Sequence, residues 1–184
     1  MKNGPSIFLA LCLFFLLFPG CVQKQDATQE ANMKNIKQLI VESDAFGNNE
    51  TIPDRYTCNG LDINPPLSIS GIPDDAKTLA LLVEDPDAPS GLWVHWILWN
   101  MRAVPEVREG MVPQDAVQGV TSDGENKYHG PCPPPGRAHR YMFKAYALDT
   151  SLDMPAKSRR QDLEKAMQGH ILAQGTLTGL YGRK

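Results

Sequence analysis

The chain has 184 residues, 42% of them hydrophobic, and a formal net charge of −3. This length suits one domain with a sizeable core. The mild acidity gives no electrostatic footprint for nucleic acid, so nucleic-acid partners are set aside.

Lys2 followed by the apolar run Ile7 to Phe18 reads as a signal peptide over residues 1–20. Twelve apolar residues are short for a permanent membrane-spanning helix. The run ends Phe18-Pro19-Gly20-Cys21, which resembles a bacterial or archaeal lipoprotein signal, with Cys21 as the lipidated residue. The alternative is an ordinary signal peptide in which Cys21 is incidental. Residues 21–35 are polar and read as a tether between a membrane and a domain over residues 36–184. Several acyl chains on Cys21 would hold the protein firmly to the cell-envelope membrane.

Strand signals dominate the domain. Lys37 to Ser43 is a short β-prone run ahead of the turn Phe46-Gly47-Asn48-Asn49. Thr78 to Glu84 is almost continuously apolar, as a strand buried on both faces requires. Trp93 to Asn100 is apolar on both parities, with Trp93, His95, Ile97 and Trp99 on one. Arg140 to Leu148 alternates, placing His139, Tyr141, Phe143, Ala145 and Ala147 on one face. A helix is expected to start at Ser158, with Gln161 closing a capping box, and to stop at Gly169. Ile171 to Tyr181 reads as the last strand, with Gly175 and Gly179 allowing close approach. The long connection Pro113 to Gly136 reads as an ordered binding loop.

Beyond the lipid site, the exported domain holds only Cys58 and Cys132. An oxidising compartment favours one disulfide between them; two buried free thiols are the alternative. The bond would pin the Pro-rich loop to Tyr56-Thr57-Cys58-Asn59-Gly60.

Chemistry gathers in two clusters. Asp85-Pro86-Asp87-Ala88-Pro89 is followed by His95-Trp96, and Gly130-Pro131-Cys132-Pro133-Pro134 by His139-Arg140-Tyr141. A carboxylate of Asp85 or Asp87 could accept from an imidazole and orient it. Protonated histidines beside loop N–H groups would then make a small anion site. Each element alone has a plainer reading, since Asp-Pro-Asp is often a turn and a strand histidine often a satisfied core residue. His129 and His170 read as structural or solvent-facing.

These clusters closely resemble the phosphatidylethanolamine-binding protein family, in its bacterial and archaeal, Raf-kinase-inhibitor-like branch. Tyr56-Thr57-Cys58-Asn59-Gly60, Pro65-Pro66-Leu67 and Gly169-His170-Ile171-Leu172-Ala173 fit the same branch. The resemblance implies a mainly β fold of two antiparallel sheets with a few peripheral helices. It also implies a pocket for a phosphate-like anion or phospholipid headgroup, lined by Asp85, Asp87, His95, Pro133 and His139, with Tyr128 and Tyr141 at its edge. Arg140 would brace the loops through a carboxylate. The Pro133-Pro134 to His139 spacing is tighter than in animal members, and the helix that follows their last strand has no counterpart before Lys184.

No GxSxG elbow, HExxH or P-loop is present. The expected function is therefore a non-catalytic binding protein with no cofactor and no metal. The runner-up is an inhibitor of a protease or kinase, acting through the pocket and the Pro-rich loop. A metal-dependent hydrolase using Asp85, Asp87, His95 and His139 is a third reading.

Overall fold

The computed structural model describes residues 36–184; the expected signal segment, Cys21 and the tether to residue 35 lie outside the described residues. The strands in chain order are β1 (Lys37–Gln38), β2 (Ile40–Glu42), β3 (Glu50–Thr51), β4 (Leu67–Ser70), β5 (Thr78–Asp85), β6 (Trp93–Arg102), β7 (Glu106–Val107), β8 (Val117–Gln118), β9 (His139–Leu148) and β10 (Ile171–Tyr181). Among the described residues one α-helix, α1, spans Arg160–Met167, and Asp54–Tyr56 forms a 3-10 turn.

The larger sheet runs β1-β10-β9-β5-β6-β8, with β3 also on β10; the smaller runs β2-β4-β7. Pairing is antiparallel except for β1 and β3, which lie parallel to β10. The run Lys37 to Ser43 is therefore not one strand. Leu39 still donates its N–H to Gln174 O at 2.9 Å, and the chain then crosses to the smaller sheet. The crossing needs a bare backbone beneath it, because a Cβ on Gly175 would stand 2.2 Å from Leu39 O.

Each face of the larger sheet has its own core. Leu79, Leu81, Val83, Phe143 and Leu177 meet Val41, Leu67 and Ile69 of the smaller sheet. Ala80, Leu82, Ile97, Trp99 and Leu148 pack under Leu163 and Met167 of α1. β5 is buried along its whole length, as its unbroken apolar run requires. Within it, Glu84 is fully buried, its carboxylate taken by Lys144 Nζ at 2.5 Å and by the guanidinium of Arg160.

The helix starts one residue later than the sequence indicates. Arg159 is the N-cap, and its N–H is accepted by Asp162 Oδ2 at 2.9 Å. Ser158 is drawn inward because its carbonyl accepts from Val120 N–H at 2.9 Å. Gly169, at φ +81°, ends the helix. No described helix is long and apolar enough to cross a membrane.

The Pro113 to Gly136 connection is fastened rather than loose. It contributes β8 to the edge of the larger sheet. Ser122 N–H then bonds Val94 O at 3.1 Å, and Asn126 Nδ2 bonds the carbonyls of Gln118 and Ala156.

Candidate functional site

The strand ends that carry the two sequence clusters lie side by side. Glu84 on β5 is opposite Met142 on β9, so Asp85 emerges beside Tyr141 and close to His139. The Asp85 side chain is divided between two donors. Oδ1 accepts Asp87 N–H at 2.8 Å, and Oδ2 accepts from His139 Nδ1 at 2.8 Å. Both side chains are buried. Donation from Nδ1 turns the other ring nitrogen of His139 away from the carboxylate.

His95 arrives by a backbone irregularity. Val83 pairs with Trp96 and Glu84 with Val94, so His95 is the extra residue of a β-bulge. The bulge breaks the parity read from the sequence. Val94, Ile97 and Trp99 face the helix-side core, Trp96 faces the other core, and His95 turns to the site. Its Nδ1 lies 2.8 Å from His129 O. A carbonyl only accepts, so Nδ1 carries the proton and Nε2 holds a lone pair in the neutral ring. His129 N–H returns a bond to His95 O at 3.0 Å. Burial pushes the His95 imidazole below its ordinary pKa, against the opposing pull of the His129 carbonyl and Asp85.

These groups line a cavity of about 490 Å³. Asp85, His95, Pro133, His139 and Tyr141 stand on its wall, as do Asp62, Trp93, Asp123 and His129. The Tyr141 ring meets His95 edge-on, with centroids 5.2 Å apart. Its hydroxyl is buried with no partner at good hydrogen-bond geometry; burial, and an Asp85 carboxylate close enough to act on it but not well placed to bond, push its pKa up. Among the described residues, no lysine or arginine lines the cavity. No three His, Cys, Asp or Glu side chains of the described residues group to hold a metal ion.

Two residues expected at the pocket stand elsewhere. Asp87 is gripped by Arg140, whose Nε and Nη2 reach its two oxygens at 2.9 and 2.8 Å, while Arg140 N–H adds a third bond at 3.0 Å. That clamp holds the Asp87 carboxyl well below the usual carboxylate range. Arg140 thus braces the 85–89 loop against β9. Tyr128 is core: its hydroxyl donates to Tyr56 O at 3.1 Å, and its ring meets Trp96 edge-on at 5.5 Å.

One pair went unread in the sequence. His129 Nε2 lies against the Asp123 carboxylate, which also takes the Thr121 hydroxyl. Burial opposes ionisation of Asp123, but the Thr121 hydroxyl, Glu125 N–H and His129 outweigh it and leave the carboxyl below its usual range. The adjacency of Tyr128-His129 to the Gly130-Pro131-Cys132 motif was the available signal.

A disulfide joins Cys58 to Cys132 in the same wall. Three further bonds cross that seam: Cys58 N–H to Pro131 O at 3.2 Å, Gly130 N–H to Asp62 Oδ1 at 2.6 Å, and the Tyr128–Tyr56 contact.

The sequence model of the family described as phosphatidylethanolamine-binding protein matches residues 42–182. The chain belongs to the phosphatidylethanolamine-binding protein family. The match takes in the strands from β3 to β10 and every residue of the cavity wall. A UPF0098 protein of Pyrococcus horikoshii is 49% identical over 156 residues, covering 80% of this chain and 79% of the relative. A UPF0098 protein of Archaeoglobus fulgidus is 41% identical over 187 residues, which is 98% of this chain and 61% of the relative. Among solved structures, a putative phosphatidylethanolamine-binding protein homologue from Chlamydia trachomatis superposes with a TM-score of 0.76 at 43% identity, over 80% of this chain and 99% of that one. Escherichia coli YbcL, described as a new member of the mammalian PEBP family, gives 0.75 at 29% identity over the same shares. The two sheets seen here are thus the family's fold.

Proposed function

We propose that this chain is a non-catalytic binding protein whose cavity takes a phosphate group carrying a nearby amine, as in a phosphoethanolamine-type headgroup. The observation that carries the reading is the buried, unpartnered Tyr141 hydroxyl at the wall of the cavity. An orphaned buried hydroxyl costs about 1–3 kcal/mol, which a ligand oxygen accepting from it would recover. Size agrees: about 490 Å³ lies within the range of small-ligand pockets.

Charge narrows the ligand further. The wall carries Asp62, Asp85 and Asp123 against His95, His129 and His139. With neutral imidazoles that wall is net negative, so a bare dianion is repelled. An anion enters more readily if it brings a proton to His95 Nε2 or carries its own ammonium toward the carboxylates. Ala88, Pro89, Trp93 and Pro134 give the wall an apolar portion suited to the carbon part of such a ligand.

Calorimetric titration with glycerophosphoethanolamine, glycerol phosphate and inorganic phosphate at pH 6 tests the reading. The amine-bearing diester is expected to bind tightest, and Tyr141→Phe to weaken it about tenfold. Equal affinity in Tyr141→Phe and His95→Ala overturns the proposal. Phosphorus NMR of the mixture checks the non-catalytic part, since appearance of a hydrolysis product would contradict it.

The inhibitor reading rests on a different surface. Pro134 to Ala138 is exposed, and the Arg137 side chain is 80% exposed at the edge of the loop. A protease or kinase partner held there would be lost in Arg137→Glu with ligand binding intact. Anchoring through Cys21 would hold the cavity beside phospholipid headgroups after export. Persistence of Cys21→Ser in the membrane fraction would end that part of the proposal.

A further inference from the structure

The Cys58–Cys132 bond occupies an unusual place for a purely structural crosslink. Both residues are exposed, and both line the cavity. The two sulfurs also differ in surroundings. Arg183 Nη1 stands 3.5 Å from Cys132 Sγ. That arginine is fixed from behind, because its carbonyl accepts Gly136 N–H at 3.2 Å and its backbone bridges Pro135. Cys58 has no comparable cation among the described residues; Asp62 shares its wall. A guanidinium lowers the pKa of a neighbouring thiol, and the thiol of lower pKa is the better leaving group.

We propose that this disulfide is a thiol-exchange site in the pocket wall, attacked at Cys58 and releasing Cys132, with a low-molecular-mass monothiol as the reactant. The monothiol's thiolate attacks Cys58 Sγ. A bond forms between those sulfurs, the Cys58–Cys132 bond breaks, and the electron pair leaves on Cys132 Sγ as a thiolate beside Arg183. A second thiolate then attacks the monothiol sulfur of the mixed disulfide. It releases Cys58 as a thiolate and leaves the oxidised dimer of the monothiol. Two electrons pass to the protein, and two monothiols are oxidised.

The fold survives the first step. The seam keeps its three other bonds, from Cys58, Asp62 and Tyr56 to residues 128–131, and Pro135–Gly136 keep theirs to Arg183. What is released is the short stretch Cys132–Pro134 between those two anchorages, which is part of the cavity wall. The modification therefore reshapes the pocket without unfolding the protein.

The test is incubation of the full chain, in detergent, with reduced glutathione at fixed pH, followed by alkylation with iodoacetamide and peptide mapping. Mapping reads Cys58 and Cys132 apart from Cys12 and Cys21. The expected result is glutathione on Cys58 and the alkyl group on Cys132, with the circular dichroism of the folded chain retained. Arg183→Ala should slow adduct formation severalfold, and Arg183→Lys should restore most of the rate. Glutathione on Cys132, equal partition between the sulfurs, or an unchanged rate in Arg183→Ala overturns the proposal. So does a reaction rate that follows global unfolding in added urea. None of these readouts depends on what the pocket binds. A separate titration with glycerophosphoethanolamine then compares native and glutathione-bearing protein. Weaker binding by the modified chain is expected. Unchanged affinity would overturn the reshaping of the wall while leaving the exchange chemistry in place. Absence of binding in both forms would count against the headgroup reading alone.

Discussion

Ligand binding should be coupled to proton uptake at His95. Its Nδ1 proton is committed to His129 O at 2.8 Å, and burial disfavours the charged ring in the free protein. The only way for this ring to donate to a phosphate oxygen is to take a second proton on Nε2. An imidazolium about 4 Å from a phosphate charge gains about 4 kcal/mol at an effective dielectric near 20. One pH unit corresponds to about 1.4 kcal/mol, so this attraction raises the imidazole's pKa in the complex above its depressed position in the free protein. The sign follows: the bound form carries one more proton than the free form above the free imidazole's pKa, so affinity falls as pH rises. Between pH 6.5 and 7.5 affinity should fall, by up to about tenfold. Glycerophosphoethanolamine is the suitable probe, because neither its diester nor its amine changes charge across that interval. Calorimetry in two buffers of different ionisation enthalpy counts the proton directly, and net uptake should be seen at pH 6.5. Asp85, Asp123, His129 and His139 share the wall. His95→Gln isolates the effect: it should bind more weakly and with a flat pH profile. Binding by the unaltered chain with no proton uptake and no pH dependence would refute the reasoning.

The same imidazole should mark stability. An unfolded His95 takes its proton at the ordinary value while the folded one resists, so stability should decline as pH falls below about 6.5; His95→Gln should lessen that slope in urea titrations. Glu84→Ala removes the carboxylate shared by Lys144 and Arg160. A loss of about 3 kcal/mol is expected, at the low end for a broken buried pair because both cations are partly exposed and can reach water. A loss below about 1 kcal/mol in the denaturant midpoint would contradict the burial argument. Tyr128→Phe should cost about 1 kcal/mol through the lost bond to Tyr56 O and leave ligand affinity unchanged. A Cβ on Gly130 would stand 2.3 Å from Tyr56 O, so Gly130→Ala should cost about 1–3 kcal/mol. The same variant should lower ligand affinity by shifting the cavity wall.

The long strands were legible because their patterns are strong. β5, β6, β9 and β10 follow from unbroken or alternating apolar runs, and the Cys58–Cys132 link from cysteine count together with the expectation of export. The face assigned to His95 was not legible, because a bulge adds a residue without changing composition. β7 and β8 are two-residue strands stabilised by their partners, so local sequence carries no period to detect. Asp85 and Asp87 are indistinguishable in sequence. The structure separates them because Arg140, one step from His139 on β9, points to the opposite side and takes Asp87 with it. Tyr128 and His129 are likewise neighbours with opposite fates, one in the core and one on the wall.

The position of β10 bears on how the chain comes together. β1, β3 and β9 all take their register from it, yet it is the last of the described strands to be synthesised. The N-terminal strands have no partner in the larger sheet until that segment emerges. Assembly must then close loops of well over a hundred residues, so folding should be slow and late rather than progressive along the growing chain. Until β10 docks, the exposed edge of β9 is open to pairing with another chain. A holding chaperone or rapid export would be of most use in that interval.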